Sequence, residues 1–285
     1  MTYSKEQLID QLVAMGIEQG DTVLIRAALR QVGAVDGGAA TIMKALQETV
    51  GKNGTLVTLG FTSLTPRWKL KESVVFTEKS KSNTGALAKC FLLDKGCQRS
   101  KHPVNSFLAI GPKAEKILKN HDASSLSYAP MNALRADNAK MLIFGCVSNS
   151  PGFTTVHSVQ ENLGLTKKSW FNGLAGALYE DNGKVHTYIK KDFGGCSAGF
   201  SKFYSNYIES EALVVGRVGQ AYALLIGVKT SYDIEFKLIK NNNQYFLCDK
   251  PSCFSCRVSW KNNILGIPIF IMDKILKTLR IRALN

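Results

Sequence analysis

The sequence is short of negative charge: 22 acidic side chains stand against 36 basic ones among 285 residues, a formal charge of +14 at neutral pH. A field of that sign attracts anions and repels polycations, so nucleic acid is the first partner to weigh. Zinc-finger spacing, an aromatic RNA-binding signature and a dominant basic arm are all missing, and the charge is spread along the chain. That argues against nucleic acid and for phosphorylated small molecules. No apolar run approaches the roughly 18 residues that cross a bilayer. The start, MTYSKEQLIDQLVAMG, has neither the basic head nor the apolar core of a secretory signal and reads as an amphipathic helix. Seven cysteines, odd in number and scattered, make no disulfide framework and place the protein in the cytoplasm. Cys248, Cys253 and Cys256 follow a C-x4-C-x2-C spacing, yet zinc normally takes four ligands and this cluster offers three. The sequence therefore predicts buried free thiols and no metal.

What is present alternates. A helix from about Lys5 to Met15 leads to the apolar run GDTVLIRAAL, then to the turn QVGAVDGG, a helix through Gln47 and a second run, GTLVTLGF. This rhythm predicts an α/β fold, a three-layer α/β/α sandwich around a mixed, largely parallel sheet. A basic stretch, LTPRWKLKESVVFTEKSKSNTG, precedes a helix near Gly85 to Leu93, a strand from Ser106 to Ile110 and a helix from Pro112 to Asn120. From about Trp170 onward, short alternating runs such as HTYIK predict antiparallel additions. With no internal repeat or clean linker, residues 1–256 read as one catalytic domain and 257–285 as a basic amphipathic extension. That extension carries Arg257, Lys261, Lys274, Lys277, Arg280 and Arg282 against Asp273 alone. A helix from Ile269 to Leu284 would either dock on its own domain or touch a membrane surface.

Only four histidines are present, and one occupies a telling place. The run MLIFGC reads as a buried strand, VSNSPGF as a turn, and Thr154 or Thr155 as the N-cap of a helix that stops near Gly164. His157 thus falls in the first helical turn beyond a strand's C-terminal end, where open α/β sheets bind ligands. The positive end of the helix dipole disfavours imidazolium there, leaving a neutral ring able to accept a proton. Glu161, four residues on, shares its helix face and is placed to orient the ring.

Five segments in order, GDTVLIRAALRQVGAVDGGAATIMKAL, GTLVTLGFT, RSKHPVNSFLAIGP, GFTTVHSVQE and GRVGQA, resemble the antibiotic N-acetyltransferase family from about Asp10 to Val228. The resemblance implies transfer of acetyl from acetyl-CoA to an amine, in a homodimer. It matches His157 to the family's catalytic histidine, Thr154 to a threonine beside the thioester and Glu161 to an acidic position. The chemistry suits those types, since an attacking amine must lose a proton and the tetrahedral oxygen needs a donor. His157 is then the general base and Thr154 the oxyanion donor, by direct transfer; Cys146 ends a buried strand and is set aside as a nucleophile. CoA contacts are implied for Arg26, Leu29, Arg30, Gly33, Gly37 and Gly38, where free N–H groups and arginines suit phosphate. His102 and Ser106 are implied beside the CoA cleft, although His102 could equally fix the Pro103 turn. Typical members read HSSL where this chain has Arg26-Ala27-Ala28-Leu29, so its CoA contacts are expected to be rearranged.

The charge balance bears on the acceptor. Aminoglycosides are polycations and suit an acidic field, whereas this chain is basic. The sequence therefore favours an anionic, nucleotide-linked amino sugar used in surface-glycan synthesis, with Trp68 and Lys69 (beside Arg67, Lys71, Lys79 and Lys81) as stacking and pyrophosphate contacts and Glu161 near the amine. An aminoglycoside 3-N-acetyltransferase is the alternative. A non-enzymatic module binding nucleic acid or a membrane surface is the alternative of another class.

Overall fold

The computed structural model describes residues 2–168, 172–192, 196–260 and 265–282. Seven strands form the central sheet: β1 (Thr22–Ala27), β2 (Thr55–Leu59), β3 (Gln98–Arg99), β4 (Phe107–Ile110), β5 (Lys140–Phe144), β6 (Val214–Val218) and β7 (Ala221–Gly227). Their spatial order is β6-β7-β5-β1-β2-β4-β3. Side chains alternate across it: Leu24 and Val57 point to one face, Val23, Ile25 and Leu56 to the other. Burial on both faces explains why these runs are continuously apolar.

Helices cover both faces. On one lie α1 (Lys5–Ala14), α2 (Gly38–Val50) and α3 (Ala86–Leu93), which bury Leu8, Leu12, Ile42, Leu46, Leu87 and Phe91. On the other lie α4 (Ala114–Leu118), α5 (Pro130–Ala136), α6 (Thr155–Asn162), α7 (Tyr204–Glu209) and α8 (Val228–Asn241), whose core includes Ile117, Met131, Val156, Val159, Tyr207 and Tyr232. The first helix starts at a capping box: the Ser4 hydroxyl accepts from the Gln7 N–H at 3.2 Å, and the Gln7 side chain accepts from the Ser4 N–H at 2.9 Å. The predicted three-layer architecture is observed.

The parallel part is narrower than the alternation suggests. In the central sheet only β5, β1 and β2 run parallel to one another; β7, β6, β4 and β3 are added antiparallel at the two sides. For the edge pair β6–β7 the reason is connection length, since Gly219 and Gln220 alone join them, and so short a turn can only reverse the chain. A separate antiparallel sheet pairs Lys184–Ile189, Ala175–Asp181 and Thr65–Pro66, with Asn182 and Gly183 turning at positive φ of 51° and 74°.

Near the C-terminus, α9 (Gly266–Arg282) begins three residues before the sequence suggested. It rests on the turn Phe254–Ser259 through Phe270 against Phe254 at 5.1 Å and leaves Ile269, Met272, Leu276 and Leu279 exposed. Trp170, Lys261 and Leu284, named in the sequence readings, lie outside the described residues. Among the described residues, no helix is long and apolar enough to cross a membrane.

Candidate active site

The C-terminal ends of the three parallel strands converge on a cleft of about 350 Å³. Arg26 and Ala27 end β1, Thr58 and Leu59 end β2, and Cys146 and Ser150 follow β5. Because β1 leads to β2 on one side and pairs with β5 on the other, this is the point where an open sheet leaves a crevice. Thr154, His157, Tyr128, Ser197 and Phe200 complete the wall. The loop into α6 depends on Gly152, at φ +72°, where an added Cβ would stand 2.2 Å from the Phe200 Cβ.

His157 sits as predicted, on the first turn of α6 and facing the cleft. Its ring stacks on Tyr128 at 4.5 Å and meets the edge of Phe200 at 4.8 Å. Nδ1 lies 3.1 Å from Gln160 Oε1, so it carries the proton and Nε2 keeps the lone pair. Burial, aided by the cations of Arg26 and Lys190, lowers its pKa to about 4. The expected neutral imidazole is present, but burial rather than the helix dipole is its main cause.

Thr154 occupies the N-cap position at 3% exposure, yet its side chain makes no capping bond. Thr155, the other candidate cap, is instead a core residue whose hydroxyl meets Glu235 at 2.6 Å.

Glu161 does not orient His157. Gln160 does, and Glu161 turns toward the neighbouring loop, where its carboxyl oxygens accept from the Tyr128 N–H at 3.0 and 3.1 Å. Spacing of four selected the wrong partner because the ring reaches the residue three positions along, the other neighbour on a helix face. Burial, with the Asp192 carboxylate beside it, pushes Glu161 up to about 9, so it is a neutral acid at pH 7. Burial also acts to raise Asp192, but Lys190, the Glu161 hydroxyl and the Ser127 N–H at 2.8 Å outweigh it and hold the carboxyl below its ordinary value. This acid–carboxylate pair fixes Ser127 and Tyr128, and through Tyr128 the face of His157.

The residues linked to CoA by resemblance separate into three groups. Arg26 reaches the cleft, but its guanidinium donates to the Gly152 and Ser150 carbonyls, both at 2.8 Å, and so holds the loop before α6. Leu29 is core; Arg30 is exposed on the short helix Leu29–Val32, Gly37 and Gly38 are exposed at the start of α2, and Gly33 faces the Gln220 side chain, none of them lining the cleft. His102 and Ser106 are buried in structural roles. His102 Nδ1 accepts from the N–H groups of Val104 and Asn105 at 3.2 and 2.9 Å, fixing the turn after Pro103. Ser106 donates to the Gly60 carbonyl at 2.7 Å and accepts from Arg99 at 2.9 Å.

Trp68 is 75% exposed and Lys69 is exposed with it, on the short helix Arg67–Glu72; neither lines the cleft. Tyr128, Gln160, Asp192, Lys190 and Phe200 were not legible as site residues. Of these only Gln160 carried a local signal, its spacing of three from His157.

A larger cavity of about 750 Å³ lies by the accessory sheet, lined by Glu78, Asp122, Glu180 and Asp181 with Lys79 and Lys101. In contrast to the smaller cleft, which His157 lines, none of its lining residues is a buried base or nucleophile. Its acidic excess nevertheless bears on the charge argument: a net charge sums the whole surface, whereas a bound ligand meets the local field.

The family described as aminoglycoside 3-N-acetyltransferase matches residues 24–240, about three quarters of the sequence. Aminoglycoside N(3)-acetyltransferase III of Salmonella sp is 23% identical over 184 residues, 59% of this chain, and the match spans just under two thirds (64%) of that relative's length. Among solved structures, apo aminoglycoside acetyltransferase AAC(3)-IVa superposes with a TM-score of 0.76 at 21% identity, covering 92% of this chain and 99% of that one. AAC-IIIb in a binary complex with CoASH gives 0.73 at 19%, covering 85% and 97%. At such identities the structures speak for the fold.

These matches overturn the nucleotide-linked amino sugar inferred from net charge, and the glycan-synthesis role with it. The residues enlisted for that acceptor, the Trp68 ring and the Lys69 cation, stand outside the cleft, and the acidic cavity does not suit a pyrophosphate. On the extent of the family match, this chain belongs to the aminoglycoside 3-N-acetyltransferase family.

Proposed function

We propose that this chain transfers an acetyl group from acetyl-CoA to an amine of an aminoglycoside, with His157 as general base. The observation that carries the reading is the neutral imidazole, clamped on two sides, whose Nδ1 is tied to Gln160 while the ring lines the cleft. The neutral amine attacks the thioester carbonyl, the C–N bond forms as His157 Nε2 takes the amine proton, and the C–S bond breaks to release CoA thiolate. Thr154, free of capping duty beside His157, supplies a hydroxyl to the tetrahedral oxygen. Glu161 is a positioning residue that acts through Tyr128.

The CoASH-bound relative supports the donor. A cavity of about 480 Å³, lined by Gln31, Gly145, Val147, Ser148 and Gln220, lies across the loop after β5 from the cleft and offers a path for the CoA arm. Gly37 and Gly38 at the start of α2 are the proposed phosphate end, where helix N–H groups favour an anion, with Arg30 of the preceding turn Leu29–Val32 as the proposed cation. The names of the curated relatives support the acceptor, and the carboxylates of the larger cavity would suit the remaining ammonium groups of a polyamine. The rest of the reading is a cytoplasmic homodimer with a catalytic body through residue 256 and a basic extension beyond it. Residues just past that boundary still pack on the body, with Trp260 against Phe246 at 4.6 Å.

Thiol release from acetyl-CoA by purified protein, measured across an aminoglycoside panel, tests the reading. The expected result is saturable turnover with at least one aminoglycoside. Absence of thiol release with every member of the panel sinks it.

A further inference from the structure

Four cysteines meet at one point of the fold, far apart in sequence. Cys248, Cys253 and Cys256 come from the segment after α8, and Cys196 arrives from the loop that leads to the cleft wall. Their sulfurs all lie within 4.8 Å of one another, the one such metal-competent group among the described residues. Cys196 supplies the fourth ligand that the sequence spacing lacked.

We propose that Cys196, Cys248, Cys253 and Cys256 form a structural tetrathiolate zinc site. Zn–S bonds of 2.3 Å in a tetrahedron place sulfurs ~3.8 Å apart, so a closure of about 1 Å at most in any sulfur–sulfur distance suffices. The spacing of Cys253 and Cys256 suits a chelating turn. Backbone donors serve the sulfurs: the Ala198 N–H reaches Cys196 Sγ at 3.3 Å, and the Cys256 N–H bonds Cys253. Such bonds orient thiolates and spread their charge. A zinc ion with four thiolates is a dianion, and the Arg257 guanidinium is tied to the cluster segment, donating to the Cys248 carbonyl at 2.5 Å. On loading, each thiol gives its proton to solvent and no electron is transferred.

The backbone is built for this approach. At Gly199 an added Cβ would stand 2.3 Å from the Phe246 carbonyl oxygen and 2.8 Å from the Cys248 nitrogen, so only glycine lets the Cys196 segment lie against the Cys248 segment. One residue further, Phe200 meets the His157 ring. The metal would pin the cleft's Ser197–Phe200 wall to the C-terminal segment, at a distance from the reacting atoms.

The test uses the full chain, purified without a metal-affinity column. Elemental analysis should give about one zinc per chain, falling to under about a tenth in Cys253→Ser/Cys256→Ser, while Cys90→Ser keeps it. Exchange of Co2+ into the wild-type protein should yield the intense visible bands of tetrahedral cobalt thiolate, a readout that needs no variant to fold. A wild-type protein without zinc, whether its four thiols are free or paired as disulfides, overturns the proposal. So does zinc that persists in the double variant, or cobalt that gives a pale octahedral spectrum.

Discussion

Two histidine sites, one fully buried and one half-buried at the cleft, differ in what holds the ring. His102 and His121 stack at 4.8 Å, and burial lowers them to about 3 and about 4. His157 stacks on Tyr128 and is lowered to about 4 by the same cause. A depressed pKa therefore does not distinguish the two sites. The hydrogen bonds do: His102 spends Nδ1 on two backbone N–H groups of its own turn, whereas His157 is held by a side chain and lines a cleft.

Replacing each histidine by alanine should drive the two sites apart. His157→Ala should lower kcat by roughly 10² to 10⁴ with the melting temperature little changed, because a general base is lost while its neighbours remain packed. His102→Ala should instead leave kcat per folded molecule near wild type and destabilise the fold by about 1–3 kcal/mol for each N–H left without its acceptor. Kinetics paired with denaturant unfolding reads both. If His102→Ala abolishes turnover in a folded protein, the division between the sites fails.

The pH dependence of stability offers a second break, since buried histidines and buried acids pull in opposite directions. His102, His121 and His157 are depressed, so the unfolded chain takes their protons first; their contribution is complete above about pH 6.5 and is lost as pH falls toward 4. Glu161 and Glu235 are raised by burial to about 9 and about 8, so the unfolded chain loses their protons first and stability falls as pH rises from about 4.5. Below pH 6.5 the two sets largely offset each other. Above it only the carboxyls act, and unfolding free energy should drop by on the order of 2 kcal/mol between pH 6.5 and 8. Urea unfolding across that interval checks the sign, and a rise would show that these carboxyls are ionised in the native state.

The sequence carried the framework well where one rule dominates. Apolar runs became the sheet, the GFTTVHSVQE segment put His157 on the first turn of a helix beyond a strand, and resemblance gave the family. It failed where the deciding contact is distant in sequence. Tyr128, Asp192 and Phe200 converge on α6 from three separate segments, and no local pattern announces them. Cys196 joins its three partners across some fifty residues, which spacing arguments do not span. The charge argument failed differently, because Lys79 and Lys101 raise the total while sharing a cavity with four carboxylates.

Glu161 sharpens the comparison at its smallest scale, between a group that reacts and one that positions. Glutamine at this place keeps an oxygen for the Tyr128 N–H and an N–H for Asp192, and removes only the ionisable proton. Glu161→Gln should therefore hold kcat within about two-fold and flatten the loss of stability above pH 6.5, since one of two titrating acids is gone. Glu161→Ala leaves the Tyr128 N–H without its acceptor and leaves Asp192 only Ser127 and Lys190, which should destabilise by about 1–3 kcal/mol and lower kcat through a shifted Tyr128 face. Rescue by glutamine is what a purely positioning residue allows. A carboxylate that gripped the acceptor's ammonium would fail that rescue and raise KM in both variants, so the KM values of Glu161→Gln decide whether this acid touches substrate or only the ring stacked on His157.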